Sequence, residues 1–287
     1  MGLALLLALA AGATWAIGMT VAKPALGHID ALSYMLGRWA LVAALAFIYA
    51  MATGTLLLDN GYALGMAVLA AFIDATLGGL FYLMAMERTP AYQTTTLASI
   101  APLWGVASAI LLLGEPLRWE TLLAAVLAIA GAYFLFGKRL AIRGRLAGSL
   151  FAVVTGALWG FAETVPSKLA LEHGLSPASF LLVFSCSGMA AIALLTPLLR
   201  PRFPRHIDRR GVGLTVLAGA GGAFLGWLFW LSSLRIAPAS AIAPIRGSTL
   251  VFSLLYSVLF LRERLTGRAL VGVLLVLASV ALVSIRL

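Results

Sequence analysis

Residues 87–136 have the sequence ERTPAYQTTTLASIAPLWGVASAILLLGEPLRWETLLAAVLAIAGAYFLF, in which two long apolar runs are separated by Gly114-Glu115-Pro116. Each run has the length and composition of an apolar helix. Two helices joined by so few residues must lie antiparallel. The stretch therefore predicts an antiparallel pair of apolar helices joined by a tight turn.

The same layout returns later in the chain, between residues 235 and 282. Pro90 corresponds to Pro238, and Glu115 corresponds to Glu263, with one offset of 148 residues for both. A register that is kept through two helices indicates a duplicated unit rather than chance composition. We therefore divide the chain into two repeats, residues 1–140 and 144–287, which meet in the basic segment 138–145.

The composition excludes an ordinary soluble globular fold. Of the 287 residues, 62% are hydrophobic and 10% are charged, whereas soluble domains are near half apolar and a quarter charged. The net charge of +10 comes from basic residues in short loops between apolar runs, which is typical of membrane orientation rather than of nucleic-acid binding. Cys186 is the single cysteine, so the chain forms no internal disulfide.

The lengths of the apolar runs predict how often the chain crosses the membrane. A spanning helix needs about 20 apolar residues, and the lipid-exposed backbone must be helical when no barrel is formed. Ten such runs are present, at residues 3–22, 31–52, 62–86, 91–113, 117–136, 146–170, 177–199, 211–234, 239–261 and 267–285. The first run lacks a preceding basic segment, so we interpret it as a transmembrane helix and not as a cleaved signal.

Five helices in each repeat is an odd number, which forces the second repeat to enter the bilayer with opposite polarity. The predicted fold is therefore an all-α polytopic membrane protein, with ten transmembrane helices arranged as two inverted five-helix repeats around a central cavity. This is a common architecture of secondary carriers. Most Lys and Arg residues fall in the loops of one face, which we place in the cytoplasm, with both termini outside. A carrier with both termini inside is the alternative that stays open.

The run from Ala101-Pro102-Leu103-Trp104 to Gly114-Glu115-Pro116 resembles the signature of the EamA-like branch of the drug/metabolite transporter superfamily. The mid-helix residues Trp15 and Trp159 are also similar to that family. The resemblance covers nearly the whole chain and, within the branch, is strongest to bacterial YddG-type exporters of aromatic amino acids. It implies ten helices, a central cavity and the export of small metabolites. The run Arg262-Glu263-Arg264 lacks the Gly and Pro of the first turn, which leaves the turn geometry there open.

Four ionisable residues lie inside predicted spans, where a charge costs about 2.5–3.5 kcal/mol at the bilayer centre. They are Arg38, Asp74, Glu163 and Arg246. Glu163 precedes the end of the sixth run by seven residues and Arg246 follows the start of the ninth by seven, so both lie roughly 10 Å inside the same face. Either the two form an ion pair that locks two helices, or Arg246 binds a substrate carboxylate while Glu163 binds an ammonium group.

The other charged residues also have two interpretations each. Asp74 either finds a hydrogen-bond partner such as Thr76 or is the titrating proton site of an antiporter. Arg38 either extends to the basic face or takes part in transport. Glu115 either stabilises the N-terminus of the fifth helix or takes part in transport.

Aromatic residues point to the chemistry of the cavity. Inverted repeats bring Trp15 and Trp159 to the same depth, and a cavity of rings and methionines suits a small amphiphile. Packing without a binding role is the alternative for each ring. The predicted substrate-binding residues are Trp15, Met19, Tyr82, Trp159, Glu163, Trp227 and Arg246, with Asp74 as the candidate for proton coupling; neither a metal nor a cofactor is predicted.

The predicted function is a secondary transporter of the bacterial inner membrane, with basic loops in the cytoplasm and termini in the periplasm. We expect it to export small amphiphilic metabolites, above all aromatic or hydrophobic amino acids, by alternating access. The alternatives are an exporter or facilitator of a drug, nucleobase or sugar derivative, and an intramembrane enzyme. The expected partners are a small-molecule substrate and membrane lipid, without nucleic acid, and we expect a monomer to suffice.

Overall fold

The computed structural model describes residues 2–89, 94, 97–136, 146–201, 203–261 and 267–284. Most of the described residues are helical, and Ile29 and Ile207 form an isolated antiparallel bridge. The start of the fourth predicted span, the segment 138–145 at the predicted repeat boundary, and the run Arg262-Glu263-Arg264 lie outside the described residues.

Each helix overlaps one of the predicted apolar runs. Six of them are long and apolar enough to cross a membrane, because they are uninterrupted apolar stretches of more than 20 residues. In chain order the helices are α1 Gly2–Leu26, α2 Ala31–Thr53, α3 Gly61–Arg88, α4 Ala101–Leu113, α5 Trp119–Phe136, α6 Leu146–Glu172, α7 Pro177–Leu199, α8 Arg209–Ile236, α9 Ser248–Leu261 and α10 Gly267–Ser284. The six long ones are α1, α2, α3, α6, α7 and α8.

Two of the long helices are locally widened. In α3 the segment Phe72–Gly78 is π-helical, and in α8 the segment Leu217–Phe224 is π-helical. When the two halves are aligned with the offset of 148 residues found in the sequence, these two segments overlap and Asp74 aligns with Gly222. Single π-helical turns inside α-helices are frequent at functional sites.

The chain before α9 is not a continuous α-helix, so the prediction of one helix over 239–261 is wrong there. A single α-turn, Ala239–Ile242, is followed by the 3-10 segment Ala243–Gly247. Pro244 contributes to this break because it has no N–H to donate to the helix.

Glu115 caps this turn, so the expectation that it stabilises the fifth helix is also wrong. Its carboxylate accepts hydrogen bonds from the backbone N–H groups of Ala239 and Ser240, at 2.7 and 2.8 Å. The helix that follows Glu115 in the chain begins only at Trp119. Glu115 therefore connects the α4–α5 turn to the segment that carries Arg246.

The loop after α1 is bonded to the loop after α7. The backbone N–H of Asp30 donates to His206 O at 2.9 Å, and Arg200 Nη1 lies 2.8 Å from Asp30 Oδ1. Burial by itself raises the pKa of Asp30, but hydrogen bonds from Ser33 and the charge of Arg200 outweigh it, so the pKa lies below its ordinary value. Asp30 is therefore an ionised cap for α2 and a tie between the two loops.

A second set of bonds joins the loop after α2 to the loop after α6. Thr55 O accepts hydrogen bonds from the hydroxyl groups of Ser176 and Ser179, at 2.7 and 3.0 Å, and Leu57 N donates to Ser179 Oγ at 2.8 Å. The start of α2 is thus tied to the end of α7, and the end of α2 to the start of α7. Since α2 and α7 also pack against each other, they lie side by side and antiparallel.

Candidate functional site

A buried ion pair joins α6 to the 3-10 segment before α9. Arg246 Nη2 donates to Glu163 Oε1 at 2.7 Å, and Arg246 Nε donates to the other carboxylate oxygen. The side chains are almost fully buried, with 9% and 3% of their surfaces exposed. The planar fork of arginine matches the carboxylate in this bidentate arrangement. The pair expected from the sequence is therefore present, and each charge neutralises the other.

The guanidinium group of Arg246 also lies between two indole rings. Its Cζ is 5.4 Å from the ring centre of Trp15 and 5.3 Å from that of Trp159. Both distances are within the range of cation–π attraction. On the other side of the pair, Trp230 Nε1 donates to the backbone oxygen of Glu163 at 2.8 Å. Arg246 is thus held by one carboxylate and two rings.

The indole rings of Trp15 and Trp159 each pack directly against a glycine in the other half of the chain, and we call these two packing positions the indole seats. A Cβ atom added to Gly226 of α8 would lie 2.3 Å from Trp15 Cδ1, and one added to Gly78 of α3 would lie 2.7 Å from Trp159 Nε1. Gly78 and Gly226 are themselves related by the 148-residue offset. Each ring therefore needs a glycine in the third helix of the other half.

The neighbouring rings follow the same relation. The ring centre of Tyr82 lies 4.9 Å from that of Trp159, and the ring centre of Trp230 lies 5.4 Å from that of Trp15. Tyr82 and Trp230 are also separated by 148 residues. Trp227 packs on the opposite side of Trp15, at 5.9 Å between ring centres.

A cavity opens next to the ion pair, between α1, α2, α3, α6, α8 and the start of α9. The space between its walls, the mouth included, is about 810 Å³. All eight residues that the sequence predicted for the site line this cavity; they are Trp15, Met19, Asp74, Tyr82, Trp159, Glu163, Trp227 and Arg246. The structure thus brings together predicted residues from four helices and the 3-10 segment.

Asp74 is an unpaired carboxylate in the cavity wall. Only 6% of its surface is exposed, and Asp74 Oδ2 has no hydrogen-bond partner among the described residues. The hydroxyl of Thr76 donates to Ala71 O instead, at 3.4 Å, so the expectation that Thr76 satisfies Asp74 is wrong. The π-helical turn directs the Thr76 hydroxyl to the backbone of its own helix.

Arg38 does not extend to the basic face, and that expectation is wrong as well. Arg38 lines the cavity, with its Cζ 4.5 Å from the ring centre of Trp39 and 5.7 Å from that of Tyr34. Sequence reasoning missed Tyr34, Arg38 and Trp39 as site residues. For Tyr34 and Arg38 the available signal was their spacing, since residues four apart share one face of a helix; the position of Trp39 does not follow from this rule.

Comparison with known proteins assigns the family. The profile of the EamA-like transporter family matches residues 2–137 and again residues 146–285. This chain belongs to the EamA-like transporter family. The family resemblance expected from the sequence is confirmed, and the protein is a multi-pass membrane protein of a family of transporters.

Individual relatives agree with the family assignment. An uncharacterized transporter of Archaeoglobus fulgidus is 20% identical over 215 residues, which cover 75% of this chain and 74% of that protein. The uncharacterized transporter YwfM of Bacillus subtilis is 26% identical over 226 residues, which cover 78% and 75% of the two chains. A crystal structure of an 18% identical protein matches with a TM-score of 0.84, over 99% of this chain and 96% of the other, which shows that the two proteins share a fold.

The ion pair generates a prediction about stability. We expect Glu163→Gln to destabilise the protein by about 3–5 kcal/mol, because it leaves Arg246 buried without a counter-charge. The double variant Glu163→Gln/Arg246→Met should recover most of that loss, since it buries no charge. Thermal unfolding in detergent measures both.

The control is Glu172→Gln on the same helix, whose half-exposed side chain meets Lys168 at 3.6 Å and should change stability by less than about 1 kcal/mol. Equal melting temperatures for Glu163→Gln and Glu172→Gln would contradict the prediction.

The indole seats generate a second prediction. Gly226→Ala forces the ring of Trp15 out of its place, and overpacking of this kind costs about 1–3 kcal/mol. Gly221→Ala in the same helix is the matched control, because its added methyl group meets only Leu217 Cδ1 at 3.6 Å and side chains farther away. Thermal unfolding together with Trp fluorescence should show a lower melting temperature and an altered emission maximum only for Gly226→Ala. Unchanged emission in Gly226→Ala would show that Trp15 is not seated there.

Proposed function

We propose that this protein is a secondary transporter that exports small amphiphilic metabolites, above all aromatic or hydrophobic amino acids, by alternating access. The observation that carries the proposal is the cavity itself. Six aromatic side chains line it, the Glu163–Arg246 ion pair in its wall is neutral, and the carboxylate of Asp74 has no ion pair among the described residues. Apolar walls with a few placed polar groups suit a small ligand that has an apolar side chain and a charged end.

The architecture we propose is two five-helix repeats, residues 1–140 and 144–287, related by inversion and giving ten membrane crossings. Three observations support it. The family profile matches the chain twice. The second helix of each half, α2 and α7, lie antiparallel, as inversion requires. The seats of Trp15 on Gly226 and of Trp159 on Gly78 are equivalent contacts exchanged between the halves.

The proposed transport cycle uses the two sets of loop bonds as alternating closures. One set, at Asp30 and His206, lies at one end of α2; the other, at Thr55 and Ser176, lies at its opposite end. Rocking of one half against the other breaks one set while the other stays intact, which opens the cavity to one side at a time. In this structure both sets are formed.

The proposed location is the bacterial inner membrane. The loop after α7 and the N-terminus of α8 carry Arg200, Arg205, Arg209 and Arg210, and basic loops of short length remain in the cytoplasm. This places the loop after α2 and both termini in the periplasm, so that export moves the substrate from the Arg200 side to the Thr55 side.

We assign the site residues two kinds of role. The rings of Trp15, Tyr82, Trp159 and Trp227, with Met19, contact the apolar part of the substrate. Glu163 and Arg246 keep that wall neutral; direct binding of a substrate carboxylate by Arg246 requires the substrate to displace Glu163. Asp74 is the proton-coupling candidate, because it lines the cavity and its Oδ2 has no hydrogen-bond partner in the part of the chain that the structure describes.

Two alternatives to an amino-acid exporter are a transporter of another substrate class and an intramembrane enzyme. A transporter of drugs, nucleobases or sugar derivatives would use the same cavity, but the charged groups Asp74 and Arg38 would then have no complementary charges in the ligand. An intramembrane enzyme is a different class. The family and the named relatives are transporters, which favours transport over catalysis.

Counterflow in proteoliposomes tests the proposal. With unlabelled phenylalanine inside, we expect labelled phenylalanine to accumulate above the level of protein-free vesicles, and tryptophan outside to compete. Asp74→Asn should retain this exchange and lose the acceleration that an imposed proton gradient gives the wild type.

Each result bears on a different part of the proposal. The control is Arg235→Gln, an exposed residue at the end of α8 that should behave as wild type. Transport of a nucleobase or sugar with no amino-acid transport would contradict the substrate class. A wild-type flux that does not respond to the gradient would remove the role of Asp74.

A further inference from the structure

Three hydrogen-bond donors of α2 lie together without partners. They are the hydroxyl of Tyr34, Nε of Arg38 and Nε1 of Trp39, which are buried and have no hydrogen bond of good geometry among the described residues, although Tyr34 and Arg38 interact with each other. Tyr34 and Trp39 have only 2% and 1% of their surfaces exposed, and Arg38 is half-buried. All three residues line the cavity.

Such a cluster is costly unless something in the cavity completes it. Each buried polar group without a partner costs about 1–3 kcal/mol. Water or a ligand group is therefore expected to meet these donors. A ligand that displaces the water must supply equivalent acceptors, or it loses affinity.

The chemistry of the cluster selects an anion. Its members are N–H and O–H donors of residues that line the cavity, and one of them carries a permanent positive charge. Arg38 has no ion pair within 4.0 Å in the described part of the chain, and its guanidinium is positioned by the ring of Trp39, 4.5 Å away. A planar carboxylate matches an arginine that is already oriented in this way.

The other cavity arginine is not available in the same way. Nε and Nη2 of Arg246 both donate to Glu163 in the bidentate pair. The ring centres of Trp15 and Trp159 lie 5.4 and 5.3 Å from its Cζ. An incoming carboxylate would have to compete with Glu163 at Arg246, whereas at Arg38 it meets an unsatisfied N–H.

We propose that Tyr34, Arg38 and Trp39 form an anion subsite that binds the carboxylate of the transported molecule. The inference deepens the proposed function and rests on it, because it takes the cavity to be the substrate site. A ligand that also carries an ammonium group can satisfy Asp74, the unpaired carboxylate in the same cavity. The class of substrate that fits both groups is a zwitterion with an apolar side chain.

Direct binding measurements test the subsite without relying on transport. The ligands are phenylalanine, 3-phenylpropanoate, which carries only the carboxylate, and 3-phenylpropanol, its uncharged counterpart. With purified wild-type protein in detergent, we expect calorimetry to show 3-phenylpropanoate binding at least tenfold more tightly than 3-phenylpropanol. Arg38→Gln should abolish this preference and leave the affinity for 3-phenylpropanol within twofold of wild type.

Two further variants and a control complete the experiment. Tyr34→Phe removes one donor and should weaken 3-phenylpropanoate binding severalfold, and Arg38→Lys should keep part of the preference because it keeps the charge but not the planar fork. Arg235→Gln, outside the cavity, should leave every affinity unchanged. If Arg38→Gln does not fold, Tyr34→Phe and Arg38→Lys decide the question.

The outcomes separate this inference from the proposed function. Phenylalanine counterflow together with an unchanged carboxylate preference in Arg38→Gln would overturn the subsite and leave the transporter proposal intact. Arg38-dependent binding of 3-phenylpropanoate without amino-acid counterflow would support the subsite and contradict the proposed substrate class. A wild-type protein that shows no preference for the carboxylate overturns the subsite whatever the transport result.

Discussion

A charge inside an apolar helical body is costly unless it is paired, and the pairing of Arg246 with Glu163 removes most of that cost for both residues. The surrounding structure is arranged around that pair. Glu115 caps the short turn that leads to Arg246, Trp230 holds the backbone of Glu163, and the rings of Trp15 and Trp159 flank the guanidinium. The ion pair lies within the second half of the chain, and Glu115 and Trp15 of the first half contact the segment that carries it.

Symmetry and asymmetry have different consequences in this protein. Residues that correspond between the halves, such as Gly78 with Gly226 and Tyr82 with Trp230, pack against the rings of Trp159 and Trp15, which line the cavity. The charged residues do not correspond: Asp74 is matched by Gly222 in the other half. The duplicated scaffold therefore encloses the space, and the residues that differ between the copies give it the chemistry by which a ligand is recognised.

The sequence predicts the helices and the ion pair well, because both depend on quantities that can be counted along the chain. Apolar run lengths locate α1 to α3 and α6 to α8, and equal distances from the helix ends bring Glu163 and Arg246 together. Side-chain directions at Arg38 and Glu115 were predicted wrongly, since each is decided by a partner far away in sequence. Pro244 indicates a possible kink in the ninth run, but the 3-10 segment there and its cap by Glu115 depend on a contact between residues far apart in sequence. The narrower likeness to exporters of aromatic amino acids stays a prediction.

The account depends most on the inversion of the two halves around the cavity. Sided cysteine labelling tests it directly, in a Cys186→Ser background that removes the one native thiol. Leu58→Cys and Arg205→Cys place single thiols in equivalent loops, the one after α2 and the one after α7. We predict that a membrane-impermeant maleimide added to intact cells labels position 58, and labels position 205 only after permeabilisation. Labelling of both positions from the same side would contradict the inverted arrangement.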